Sequence, residues 1–200
     1  MAGKWRHMAG VALLASLAAS TAEAEINIVA TTTDLAALAK EVGGDQVRVE
    51  AIARGFQDPH FVEAKPSFIL KLHRADLLLL VGRELELAWL PPLVQQSRNA
   101  NIQPGTPGYL DTSLTVDILE IPTGQITRAM GDVHAQGNPH YWLDPANGRR
   151  MASAIQLRLS ELAPSDASYF AERFADFDRR LAAAERRWDT QMAPYAGTKV

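Results

Sequence analysis

The sequence contains no cysteine. It therefore has no disulfide and no thiolate chemistry, and any metal it binds must be held by His, Asp, Glu or backbone oxygen. It also lacks a hydrophobic run of membrane-spanning length: the longest, Met8 to Ala19, is about 12 residues, where a spanning helix needs roughly 20. There is no basic excess. Lys and Arg number 20 against 23 Asp and Glu, for a net charge of -3, so nucleic acid is not expected as a partner. Three catalytic signatures are missing as well: H-E-x-x-H of helical zinc proteases, the G-x-S-x-G nucleophile elbow, and a Gly-rich phosphate loop after a strand. What remains is an ordinary globular composition, 47% hydrophobic and 22% charged over 200 residues, enough for one well-buried core or two small ones.

The first 24 residues stand apart. Lys4 and Arg6 precede the apolar run, and Ala22-Glu23-Ala24 ends it. This order of basic, apolar and small-residue segments is that of a secretory signal peptide, so residues 1-24 are expected to be removed and the mature chain to begin near Glu25, exported.

Beyond Glu25, strand and helix patterns alternate. "EINIVATTT" (25-33) is rich in β-formers, and Asp34 is a candidate cap for the periodic "LAALAKEV", which Gly43-Gly44 closes. "QVRVEAIA" (46-53) alternates as a strand and runs into the loop "RGFQDPHFVEAK". Pro66 opens a helix to Arg74, and "ADLLLLVG" (75-82) is continuously apolar, as in strands buried on both faces of a parallel sheet. A helix from about Leu85 to Gln96, a Pro/Gly-rich turn and "TVDILEIP" as a further strand follow. Such alternation predicts an α/β fold with a parallel sheet and flanking helices, whose ligands gather beyond the carboxyl ends of the strands. His60 falls in the loop beyond the second strand.

The last third reads as helical. Asp144-Pro145 is an N-cap and first-turn pair for a helix ending before Pro164, with Met151, Ile155, Leu159 and Leu162 on one face. A second helix from about Ser165 to Ala193 carries Phe170, Phe174, Phe177, Leu181, Trp188 and Met192 on a stripe. At 1.5 Å per residue it is a rod of about 40 Å, long enough to cross two lobes or to offer a partner surface, although an aromatic stripe is more often core. "YAGTKV" (195-200) reads as a turn entering a new strand, so the sequence is expected to be the front of a longer chain.

The candidates for chemistry are histidines. In "DPH" (58-60) the proline keeps the backbone extended and presents the His60 imidazole. Alone, a loop histidine is more often merely exposed. "NPH" (138-140) repeats the device about 80 positions later, followed by Tyr141 and Trp142, which can orient His140 and limit water around it. His134, in "GDVHAQG", either completes such a site or sits at its mouth. His73 is better explained by a helix C-terminus, Asp144 by capping, and Glu63 as a solvated carboxylate. Two histidines undersupply zinc, which takes four ligands in a closed site.

"QDPHFVEAKPS" and "HAQGNPHYWLDP", behind a signal peptide and before a long helix, resemble the metal-specific solute-binding proteins of bacterial ABC transporters, the zinc and manganese group. The resemblance covers Glu25 to Val200. It implies that residues 25-163 form an N-terminal α/β metal-binding lobe, that 164-194 form the helix joining two lobes, and that 195-200 begin a C-terminal lobe that is not present. It further implies that His60 and His140 are metal ligands and that the remaining ligands come from the other lobe; His134 is a third candidate only through its place in the loop. Many zinc members carry a histidine-rich loop where this chain, between Thr123 and Gln136, has only His134. The expected function is periplasmic capture of a divalent ion, zinc with manganese as the alternative, by a monomer that delivers it to a membrane permease without catalysis. A metallohydrolase and a surface adhesin built on the long helix are the competing classes.

Overall fold

The structure is a computed structural model and describes residues 25-124 and 133-198. The leader lies outside the described residues, as do Lys199 and Val200 of the expected last strand. Four strands, β1 (Ile26–Ala30), β2 (Val47–Ala51), β3 (Leu77–Leu80) and β4 (Tyr109–Asp111), make a wholly parallel sheet in the order β2-β1-β3-β4. Among the described residues five α-helices accompany it: α1 (Thr33–Gly43), α2 (Pro66–His73), α3 (Leu90–Ser97), α4 (Pro145–Leu162) and α5 (Ala167–Met192).

Successive side chains on a strand face opposite sides, and this alternation builds two cores. Ile26, Ile28 and Ala30 of β1, with Leu77 and Leu79 of β3, face α1, α4 and the start of α5; there they pack with Leu35, Val42, Met151, Ile155, Leu159 and Phe170. Val29, Leu78 and Leu80 face the other way, toward Leu72 of α2 and Leu90, Leu93 and Val94 of α3. All four residues of β3 are buried, which is why this strand reads as an unbroken leucine run.

Three boundaries differ from the sequence reading. The cap of α1 is Thr32, whose Oγ1 accepts from Leu35 N at 3.4 Å, and Asp34 instead lies in the first turn, where its charge faces the helix's positive end. The third helix begins at Leu90 rather than Leu85, because Pro91 and Pro92 are tolerated only in a first turn; an earlier start would place them in the interior, where each removes a hydrogen bond and clashes with the preceding turn. "TVDILEIP" adds no strand. The fourth strand is the short Tyr109–Asp111, and from Val116 the chain leaves the sheet as an extended strap that bonds to the histidine-bearing turn through Asn138 N to Leu119 O, 2.9 Å.

The α4 start is as expected: Asp144 Oδ1 accepts from Ala146 N at 2.8 Å, with Pro145 in the first turn. Asp144→Ala should cost about 1 kcal/mol, read by urea unfolding. The 26 residues of α5 extend about 39 Å. Among the described residues no helix is long and apolar enough to cross a membrane.

Candidate metal centre

From β1 the chain crosses over α1 to β2 on one side; from β3 it continues over α3 to β4 on the other. This reversal between β1 and β3 opens a crevice at their carboxyl ends, where parallel sheets bind ligands. Glu86 pins the crevice. Almost wholly buried, its carboxylate accepts from Thr31 Oγ1 (2.6 Å), Val81 N (2.8 Å) and Gly82 N (3.0 Å), so it ties the end of β1 to the end of β3. Burial holds its carboxyl above the usual range, and the hydrogen bonds pull the other way.

Above this crevice two loops bring three imidazoles together. His60 follows β2, while His134 and His140 come from the segment before α4. Ring centroids are 5.0 Å apart for His60 and His134, 5.4 Å for His60 and His140, and 6.1 Å for His134 and His140. His60 therefore meets both, the near neighbour of His140 in sequence as well as the distant residue. His73 is elsewhere, with Nδ1 on Ser97 O at 2.8 Å, a tie between α2 and α3 that helix-end electrostatics did not suggest. Glu63 is solvated and ion-paired to Lys65.

The two Pro-His turns share one geometry. Asp58 Oδ1 accepts from the His60 backbone N at 2.9 Å and from its ring Nδ1 at 2.7 Å. Asn138 Oδ1 accepts from the His140 backbone N at 2.9 Å and ring Nδ1 at 2.8 Å. In both, a side-chain oxygen two residues upstream fixes the proton on Nδ1 and turns Nε2 outward, the arrangement by which metal-binding histidines are oriented. The His60 backbone N–H, and then its ring, hold the Asp58 carboxyl below the usual carboxylate range, so this acceptor stays ionised.

Buried aromatics fasten both turns. Trp89 Nε1 donates to Pro59 O at 2.8 Å. Tyr141, pushed well above the ordinary phenol range by burial, bonds Val81 O at 2.5 Å and Thr112 Oγ1 at 2.8 Å. Tyr141 thus anchors its turn to the end of β3, and it is Trp142 that lies beside the imidazole, 5.2 Å from His140. The His134 loop is held by Glu84, whose Oε2 accepts from Ala135 N at 2.8 Å.

His60 Nε2 and His134 Nε2 are 3.0 Å apart. Two nitrogens on a tetrahedral zinc, each about 2.0–2.1 Å from it, lie about 3.3 Å apart; with the His60 proton held on Nδ1, the observed pair is a hydrogen bond from His134 Nε2–H to His60 Nε2, and His134 would have to give up that proton before its Nε2 could bind an ion. Accordingly, among the described residues no three His, Asp or Glu side chains are already arranged around one ion. A neighbouring cavity of about 440 Å³ runs along Glu84, Glu86 and Gln136 and is lined by none of the three histidines.

The model for the family described as zinc-uptake complex component A, periplasmic (ZnuA), matches residues 28–200. The chain belongs to the ZnuA family. Among curated ZnuA-like relatives, the manganese ABC transporter substrate-binding lipoprotein scaA of Streptococcus gordonii is 29% identical over 182 residues, covering 88% of this chain and 55% of that protein. The metal ABC transporter substrate-binding lipoprotein ScbA of Streptococcus cristatus is 29% identical over 169 residues, covering 83% and 51%. A crystal structure of ZnuA superposes with TM-score 0.65 at 26% identity, covering 80% of this chain and 55% of that one. A zinc-bound ZnuA deletion mutant superposes with TM-score 0.71 at 25% identity, covering 85% and 59%. The parallel sheet, its flanking helices and the long last helix are those of a ZnuA-like lobe. The chain spans about half the length of the curated relatives it matches.

Proposed function

We propose that this chain supplies one lobe's share of an extracytoplasmic metal-capture site, with His60 and His140 as ligands through Nε2 and His134 as a third nitrogen. The observation that carries this reading is the meeting of three imidazoles, one from the loop after β2 and two from the segment before α4, at the crevice of a parallel sheet, two of them held with the same Nδ1–H orientation. Residues 25-163 are then the metal-binding lobe, 164-194 the connecting helix, and 195-200 the entry to a second lobe that closes the coordination shell. A nitrogen-rich donor set favours zinc over manganese, which prefers oxygen. The family is one of substrate-binding transport proteins, and the reading for this chain is likewise capture without turnover by a monomer, followed by delivery to a membrane permease.

The relatives named above are lipoproteins. For this chain the leader pattern supports export, cleavage near Glu25 and a periplasmic location.

Calorimetric titration of the purified chain with zinc tests the proposal. One ion should bind per chain, with manganese weaker. Protons compete for each imidazole nitrogen, so lowering the pH from about 7.5 to about 5.5 should weaken binding at least tenfold. Equal affinity at the two pH values would remove the histidines from the site.

A further inference from the structure

We infer that Glu120, an exposed residue outside both Pro-His motifs in the sequence, is a positioning residue that sets the tautomer of His140. The inference rests on the metal-capture reading above for its purpose, but its chemistry stands on the metal-free chain.

The two Pro-His turns differ in one respect. Asp58 has two acceptor oxygens, so whichever faces His60 can only receive a proton. Asn138 has one acceptor end and one donor end, and it does the same job only if the amide is held the right way round. Its Nδ2 donates to Glu120 Oε2 at 2.8 Å. Because a carboxylate only accepts, the Nδ2 end is fixed on Glu120 and Oδ1 must face His140, where it receives the backbone N–H and Nδ1–H. The proton thus sits on Nδ1, and Nε2 carries the lone pair that a metal would use. Turned end for end, the amide would present NH₂ to Nδ1 and drive the proton to Nε2.

The backbone supports a placed role for Glu120. It is in the left-handed region at φ 57, where non-glycine residues are uncommon and glutamate has no local advantage. It belongs to the strap after β4, which touches the same turn twice more: Leu119 O accepts from Asn138 N at 2.9 Å, and Gly137, at φ 93, lies so close to Ile118 and Ile121 that a Cβ there would fall 2.4 Å from Ile118 Cγ2. The strap that failed to become a strand is the platform from which Glu120 reaches Asn138. Glu84 is a parallel case, a glutamate at φ 71 whose carboxylate holds the His134 loop.

The test is the imidazole nitrogen spectrum of the ¹⁵N-labelled, metal-free chain at neutral pH, together with zinc titration. The native protein should show His140 protonated on Nδ1. Glu120→Ala should give a mixture or the Nε2–H form and weaken zinc binding roughly tenfold or more. Glu120→Gln, whose amide oxygen can still accept from Asn138, should restore both readouts. In an Asn138→Asp background, where the amide's ambiguity is gone, Glu120→Ala should no longer move the tautomer. An unchanged tautomer in Glu120→Ala overturns the inference, even if affinity falls. If the native chain binds no zinc, the capture reading fails, and the tautomer still decides the role of Glu120.

Discussion

Replacing His60 or His140 by alanine is expected to lower zinc affinity roughly 100-fold in each case. Structural zinc sites bind with about 10–16 kcal/mol, shared over four ligands, so one nitrogen contributes about 3 kcal/mol, a factor of roughly 100. His60 sits in a loop and His140 opens the short 3-10 helix His140–Leu143; both are only partly buried, and their turns are anchored by Trp89 and Tyr141 rather than by the imidazoles. The fold should therefore survive, and circular dichroism should be unchanged. Because the two would hold one ion, the double variant should lose less than the sum of the singles. His73→Ala is the control: its ring bonds Ser97 O between α2 and α3, so zinc affinity should not move. Competition titration against a chromophoric chelator gives all four numbers, and equal small losses for His73 and His140 would remove the site.

The parts of this picture legible in the sequence were those whose cause is local. The leucine run of β3 is apolar because both its faces are covered, and Asp144-Pro145 marks a helix start because capping and the proline constraint act within one turn. "DPH" and "NPH" stood out for their proline, yet their more informative residues are Asp58 and Asn138, two positions before each histidine. An Asx residue there is a local signal for a ring held at Nδ1, and it could have been read from the sequence. What was illegible depends on distance. Nothing in "GDVHAQG" shows that Glu84, about fifty residues earlier and in a left-handed conformation, holds that loop so that His134 stands against His60. "TVDILEIP" has the composition of a strand, but a strand requires a neighbour with open hydrogen-bonding groups, and the segment instead braces the Asn138 turn. The start of α3 lies five residues beyond the expected Leu85, where Pro91 and Pro92 fall in the first turn. The aromatic stripe of α5 raises the remaining question, since periodicity marks a face without saying how far along the rod that face is covered.

Phe170→Ala should destabilise the protein by about 3–5 kcal/mol, the range for deleting a buried aromatic ring, whereas Trp188→Ala should stay within about 0.5 kcal/mol. The two residues lie on the same stripe of the same helix. Phe170 is fully buried among side chains of α1, α4 and the sheet, and Phe174 and Phe177 pack on the edge of that cluster. Further along, Trp188 is 44% exposed and Met192 62% exposed. The first turns of α5 thus close the core, and the last turns project beyond it with their apolar stripe still present. For a chain of this size each kcal/mol corresponds to about 2–4 °C in melting temperature, so Phe170→Ala should melt roughly 6–20 °C lower and Trp188→Ala within about 2 °C of the native protein. Urea unfolding should show the same order with similar slopes, because neither substitution changes the surface exposed on unfolding by much. A loss at Trp188 as large as at Phe170 would mean that the far half of the helix is packed in solution as tightly as the near half, and the projecting rod, with the second-lobe attachment proposed for it, would have to be abandoned.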